Sequence, residues 1–136
     1  MKIFRISAII AAMIFSSSAL SAQQQQQPKD MRTMAEEATD ALNKMLDLED
    51  WQCFKLDSTF FADYTEVTEE FQKLKRSGAT NTEAYLLVQD RVYARMDSTI
   101  QTILTPAQWT KYLKSEFGRE KRARDKRVAK RASAKK

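Results

Sequence analysis

The chain has 136 residues, of which 43% are hydrophobic and 30% are charged. This length and composition fit one small folded domain and exclude a chain that is disordered throughout. Two glycines and two prolines cannot supply the turns of a multi-stranded fold, so we expect an all-α protein made of long helices. Because the chain has no histidine and no glycine-rich phosphate loop, we expect neither enzymatic activity nor a cofactor.

Residues 1–22 have the pattern of a secretory signal peptide. Lys2 and Arg5 precede an apolar run of about ten residues, and small residues follow it up to Ala22. The run is too short to span a bilayer comfortably, which favours cleavage over the alternative of an uncleaved anchor. We therefore expect an exported protein.

The mature chain is expected to begin with a flexible, glutamine-rich segment, residues 23–30, and to become helical at Met31. Apolar residues then recur every three or four positions, which predicts a first helix over 31–46 with Asp30 as its N-cap.

A second, longer helix is predicted over 50–76. Its buried stripe is expected to consist of Phe54, Phe60, Phe61, Tyr64, Val67, Phe71 and Leu74. The only cysteine, Cys53, is expected to be a small buried group or, alternatively, to form a disulfide with a second copy of the chain.

The loop at 76–81 contains Gly78 and is short, so the third helix should fold back against the second as an antiparallel pair. The third helix is predicted to begin after Thr80 or Asn81. Its stripe is expected to consist of Tyr85, Val88, Val92, Met96, Thr99 or Ile100, and Ile103.

A specific corner precedes the fourth helix. Thr105 is a good N-cap, Pro106 suits the first helical position, and Gln108 completes a Thr-x-x-Gln capping box. Leu104 and Trp109 stand at the two positions of a hydrophobic staple. Part of the pattern also occurs earlier, at Leu48–Gln52, where a glutamate replaces the threonine. Because glutamate is a poor N-cap, Asp47 or Asp50 is expected to cap the second helix instead.

Charge is divided unevenly along the chain. Residues 23–113 carry 10 basic and 15 acidic side chains, whereas residues 114–136 carry 11 and 3. The basic tail, 118–136, is expected to extend the fourth helix for a few turns and to be disordered beyond about residue 128. Its candidate contacts with an anionic surface are Arg119, Lys121, Arg122, Arg124, Lys126 and Arg127.

Leu104–Gln108 matches the LTxxQ signature, and Leu48–Gln52 is similar to a degenerate first copy. With two such motifs and an export signal, the chain resembles the Spy/CpxP (LTxxQ) family of bacterial periplasmic proteins over residues 31–117. The resemblance implies a four-helix, hook-shaped hairpin, an antiparallel homodimer forming a curved cradle, and a structural role for Leu48, Gln52, Leu104, Thr105 and Gln108. Metal-binding members rely on histidines, so we expect no metal site in this chain.

Two functions are expected. The first, implied by the resemblance, is ATP-independent, chaperone-like binding of unfolded envelope proteins, with the flexible side chains of Met31, Met34, Met45 and Met96 as candidate client contacts. The alternative is an envelope-stress regulatory or structural partner whose basic tail docks an acidic sensor-kinase domain or an anionic lipid surface. We do not expect nucleic-acid binding, because the chain carries an export signal and its tail lacks interleaved aromatic residues.

Overall fold

The computed structural model describes residues 29–136, and this part of the chain forms five helices and no strand. The predicted signal peptide and residues 23–28 of the glutamine-rich segment lie outside the described residues. Within residues 29–136, no helix is both long enough and apolar enough to cross a bilayer. The all-α fold class is confirmed.

The first two helices have the predicted bounds. Helix α1 spans Met31–Leu46, and the Asp30 side chain caps it by accepting a hydrogen bond from Thr33 N at 2.9 Å. Asp47 follows it as the C-cap and has a φ of 53°, a left-handed conformation that aspartate tolerates better than most residues. Helix α2 spans Asp50–Arg76, and its N-cap is Glu49 rather than either neighbouring aspartate.

Helix α3 spans Thr82–Ile103 and is capped by Asn81. It packs against α2 in the antiparallel sense: the guanidinium of Arg95 lies 2.6 Å from Asp63, whereas the Phe71 ring, further along α2, meets the earlier Tyr85. The predicted helix pair is therefore confirmed.

The buried core lies where α1, α2, α3 and the following helix meet. Its most deeply buried large side chains include Leu42, Leu56, Phe60, Ile100 and Tyr112. The inward face of α2 carries Gln52, Leu56, Phe60, Asp63 and Val67.

The predicted stripe of α2 was wrong for two of its members. Phe54 is 75% exposed and Phe61 is 36% exposed. Leu56, Phe60 and Val67 already occupy the inward face at helical spacing, and this turns Phe54 and Phe61 outward.

The basic tail is helical and does not continue the fourth helix. Helix α4 spans Pro106–Lys114, Ser115 is extended, and helix α5 spans Glu116–Ala134. The expected four helices are therefore five, and the residues beyond 128, for which disorder was expected, continue as helix to Ala134. The predicted boundary between 31–117 and 118–136 falls inside α5.

Gly118 makes the corner between α4 and α5 possible. It is buried, and a Cβ added to it would lie 2.1 Å from the backbone oxygen of Leu113. Arg122 also binds that oxygen, at 2.6 Å. Backbone atoms cannot move aside as a flexible side chain can, so only glycine fits at this position.

Gly118→Ala is expected to lower the free energy of unfolding by about 2 kcal/mol, because the added methyl group overpacks the corner. Thermal unfolding measures this loss, and amide exchange of residues 116–134 should accelerate. Gly78→Ala is the matched control. Its φ of +77° predicts a loss of about 1 kcal/mol, but nothing lies within 4 Å of the added Cβ, so exchange in α5 should not change selectively. Equal exchange in α5 for both variants would contradict this role of Gly118.

Candidate functional site

The two motif glutamines meet at the centre of the fold. Gln52 Nε2 donates to Gln108 Oε1 at 2.7 Å, and Gln108 Nε2 donates to Gln52 Oε1 at 3.2 Å. We call Gln52 and Gln108 the glutamine pair. Gln52 is only 1% exposed, and its Nε2 also donates to the carbonyl of Ile103, at the end of α3.

Each member of the glutamine pair also completes the start of its own helix. Gln52 Oε1 accepts a hydrogen bond from Glu49 N, and Gln108 Oε1 accepts one from Thr105 N, both at 2.9 Å. Thr105 Oγ1 in turn accepts from Gln108 N at 3.2 Å, so the predicted capping box is present. The pair therefore joins the α1–α2 corner to the α3–α4 corner and fixes the orientation of α2.

The other motif residues also occupy structural positions. Leu104 is 7% exposed and belongs to the core, and Leu48 and Trp109 pack against the core while remaining partly exposed. Pro106 is the first residue of α4, and it is exposed. Trp109 stacks on the ring of Tyr112 with 5.0 Å between centroids.

An exposed row of aromatic side chains runs along the outer face of α2. Trp51 is 48% exposed, Phe54 is 75% exposed and Phe61 is 36% exposed. Their spacing of three and seven residues places them on one side of the helix, over about 15 Å. We call these three residues the aromatic stripe. Large apolar side chains exposed together on one face of a small protein are typical of an interaction site.

Two cations border the aromatic stripe. The guanidinium of Arg32 lies 4.2 Å from the Phe61 ring centroid and also pairs with Asp57 at 2.7 Å. The ammonium of Lys55 lies 5.8 Å from the Trp51 ring. The stripe therefore offers apolar and cation–π contacts side by side.

The candidate methionines differ in their exposure. Met96 is only 7% exposed and belongs to the core, so it is not available to a client. Met31, Met34 and Met45 are partly buried. Met34 borders a partly open cavity of about 280 Å³, whereas Met31 Sδ accepts a hydrogen bond from Thr68 at 3.2 Å.

Three acidic residues of α3 hold α5 in place. Asp97 pairs with Arg124 at 2.8 Å, Asp90 pairs with Arg127 and Arg131 at 2.7 Å each, and Glu83 pairs with Arg131 at 2.6 Å. We call Glu83, Asp90 and Asp97 the acidic row. Asp90 and Asp97 are 1% and 2% exposed, so their ion pairs are largely shielded from water on the acidic side, whereas the Glu83 side chain is about half exposed.

The same ion pairs shift ionisation equilibria. Hydrogen bonds from Arg127 and then Arg131 lower the pKa of Asp90 despite its burial. Burial, followed by the charge of Asp97 and the hydrogen bond to it, raises the pKa of Tyr112, whose hydroxyl donates to Asp97 at 3.0 Å. Both groups therefore keep their ordinary charge state at neutral pH, and neither is poised to transfer a proton.

The proposed anionic-surface contacts divide into two sets. Arg124 is 6% exposed and Arg127 binds Asp90, so Arg124 cannot reach a surface and Arg127 is already occupied. Lys121 is partly buried and pairs with Asp125 at 2.6 Å. Arg119, Arg122 and Lys126 are exposed on the outside of α5.

No family model matches this chain, and no match was found among the curated proteins or the solved structures. The resemblance to the LTxxQ family therefore stays a prediction.

Cys53 is a partly buried free thiol. Burial raises its pKa, and the charges of Asp50 and Asp40 raise it further. A smaller thiolate fraction makes the thiol less reactive at neutral pH. Among the described residues, no cluster of His, Cys, Asp and Glu side chains could hold a metal ion.

Sequence reasoning missed both the aromatic stripe and the acidic row. A signal for the row was present, since Glu83, Asp90 and Asp97 recur every seven residues and therefore share one side of α3. Arg124, Arg127 and Arg131 likewise share one side of α5. Matching the two patterns predicts docking of α5 on α3.

Proposed function

We propose that this protein binds unfolded or partly folded proteins of the bacterial envelope without ATP, through the aromatic stripe of α2. The observation that supports this proposal is the exposure of Trp51, Phe54 and Phe61 on one face of a long helix. Most monomeric proteins bury such side chains, because burial of each large apolar side chain adds about 2 kcal/mol to the free energy of unfolding.

The surroundings of the stripe suit loose and varied clients. It lies on one face of a single helix, and none of its three residues lines the cavity beside Met34. Neighbouring cations such as Arg32 and Lys55 can contact acidic or aromatic groups of a client. In this proposal the glutamine pair acts indirectly, by fixing the start of α2 to the α3–α4 corner.

A second copy of the chain is the competing occupant of the stripe. The resemblance implies a homodimer in a curved cradle, and burial of the stripe between two copies would leave it closed to clients. Light scattering of the processed protein, measured across concentrations, distinguishes a monomer with a free stripe from such a dimer.

The chaperone-like activity is tested by aggregation of a denatured model client at stoichiometric amounts without nucleotide. The wild-type chain is expected to suppress light scattering. Phe54→Ser with Phe61→Ser should require about tenfold more protein for the same suppression, because roughly 1–2 kcal/mol of apolar contact is lost. Its melting temperature should fall by only a few degrees, since Phe54 is 75% exposed and the partly covered Phe61 ring loses mainly its contact with Arg32.

The matched control replaces two exposed apolar residues away from α2, Leu87→Ser with Val128→Ser. It should suppress aggregation as the wild type does. The proposal fails if wild-type protein leaves aggregation unchanged, or if the two double variants lose equal activity.

A further inference from the structure

The cavity beside Met34 lies where all five helices meet, since each helix contributes at least one residue to its wall. Its volume is about 280 Å³, whereas an apolar cavity of about 150 Å³ is enough to hold benzene. The space therefore suits one six-membered ring with a small substituent. We call it the aromatic cavity, because its lining includes Phe60, Tyr64, Tyr93, Tyr112 and Phe117.

The rings of this wall pack against one another. Phe60 and Tyr64 stack with 5.7 Å between ring centroids, and Tyr64 meets Tyr93 edge-on at 6.1 Å. On the other side, Tyr112 and Phe117 stack at 5.8 Å. The wall is thus formed without a ligand, and an apolar lining with a few polar groups is typical of small-molecule sites.

Arg124 is the buried polar group of the aromatic cavity. Its side chain lines the cavity and is only 6% exposed, and its guanidinium carbon lies 5.6 Å from the Tyr93 ring centroid. One terminal nitrogen donates to Asp97 at 2.8 Å, but Nε is buried and has no hydrogen-bond partner among the described residues. A buried N–H without an acceptor is rare and unfavourable. An acceptor atom supplied by a ligand would remove that cost.

The charges around the cavity favour a neutral ligand. Glu116 and Glu120 line it and are exposed to solvent, so they lie on its open side. Glu116 pairs with Arg119, whereas Glu120 forms no ion pair within residues 29–136. An anion would meet these carboxylates, and the charge of Arg124 is already balanced by Asp97. A cation would in turn meet the guanidinium of Arg124.

We propose that the aromatic cavity binds a small neutral aromatic molecule that carries a hydrogen-bond acceptor such as a ketone oxygen. The ring packs among the tyrosine and phenylalanine side chains, and the oxygen accepts a hydrogen bond from Arg124 Nε. This site shares no residue with the aromatic stripe and does not depend on client binding.

The first test locates the bound molecule. The processed chain is labelled with ¹³C at its methionine methyl groups and titrated with acetophenone, which has one ring and one ketone oxygen. The methyl signals of Met34 and Met96, which line the cavity, should shift because of the ring current of the probe. Met31 and Met45 lie outside the lining and should not shift. Unchanged signals, or equal shifts of all these methyl groups, would overturn the proposal.

The second test addresses the hydrogen bond. Arg124→Leu with Asp97→Asn removes the donor and its counter-charge together, so no buried charge is left unpaired. Acetophenone should bind this variant about tenfold more weakly than it binds the wild type. Ethylbenzene, which has no oxygen, should lose less than about twofold. An equal loss for the two probes, or no loss for acetophenone, rules out the assigned role of Arg124 Nε.

The third test examines the charge of the ligand and needs no change at Arg124. Benzoate and phenyltrimethylammonium should each bind the wild type at least tenfold more weakly than acetophenone. Glu120→Gln should strengthen benzoate binding about threefold and leave acetophenone binding unchanged. Glu69→Gln makes the same charge change at an exposed position of α2 outside the cavity and should affect neither probe. Tighter binding of either ion than of acetophenone would show that the site selects a charged ligand, against the proposal.

Discussion

Gln52→Leu is expected to lower the free energy of unfolding by about 3 kcal/mol, although leucine is apolar and similar in size. The substitution removes both hydrogen bonds with Gln108 and the donor to the Ile103 carbonyl. The carbonyl then lies at a buried corner without its partner, and an unpaired buried polar group costs more than an average hydrogen bond contributes. Chemical denaturation followed by circular dichroism measures the loss.

Gln72→Leu is the control for this variant, because Gln72 lies on the same helix and is exposed. Its effect should stay within about 0.5 kcal/mol. A double-mutant cycle with Gln108→Leu isolates the contribution of the pair and should give a coupling of about 1–2 kcal/mol. Additive effects of the two substitutions would show that the glutamines stabilise their corners independently.

Asp90→Ala is expected to destabilise the docking of α5 by about 2–3 kcal/mol. This loss is somewhat smaller than the loss on breaking a fully buried ion pair, because Arg127 and Arg131 keep some contact with water. Without Asp90, two neighbouring arginines face each other without their shared counter-ion. Limited proteolysis should then cut within residues 116–134 under conditions in which the wild type resists. Asp125→Ala is the control, because Asp125 forms only an exposed pair with Lys121 inside α5 and should cost less than about 0.5 kcal/mol.

The same ion pairs predict acid sensitivity. The pKa of Asp90 is lower in the folded state than in the unfolded state. The carboxylate therefore stabilises the fold fully at pH values above its unfolded-state pKa of about 4, and this stabilisation is lost as the pH falls through its lower folded-state pKa. The stability difference between wild type and Asp90→Ala should therefore be constant from neutral pH to about pH 5 and should shrink below pH 4. A difference that stays constant to pH 2 would contradict the role assigned to the Asp90 carboxylate.

The local features of the fold were predictable because their causes are local. Helical periodicity gave the bounds of α1 and α2, and the side chains of Asp30 and Thr105 cap the helices as expected. The N-cap of α2 was predicted wrongly at Asp47 or Asp50. Glutamate has a weak intrinsic preference for this position, but at Glu49 the backbone N–H is satisfied by Gln52, which the core holds in place.

The aromatic residues of α2 show where periodicity reaches its limit. Phenylalanines at 54, 60 and 61 fit more than one helical face, and hydrophobicity alone does not choose between them. The choice depends on α1 and α3, which cover Leu56 and Phe60 and leave Phe54 in solvent. For this reason the candidate binding surface was not found from the sequence, and one of the methionines proposed in its place, Met96, proved to be core.

By itself, the sequence determined that the chain is helical, where most helices begin and end, and that two related corners carry the glutamines. Those properties follow from interactions within a few residues of one another. Only the tertiary structure decided that Gln52 meets Gln108, that Phe54 faces water, and that the basic tail is a fifth helix. These outcomes depend on contacts between residues that are far apart in the sequence. Asp97 and Arg124 are an example, because each charge can be buried only when the other is present to pair with it.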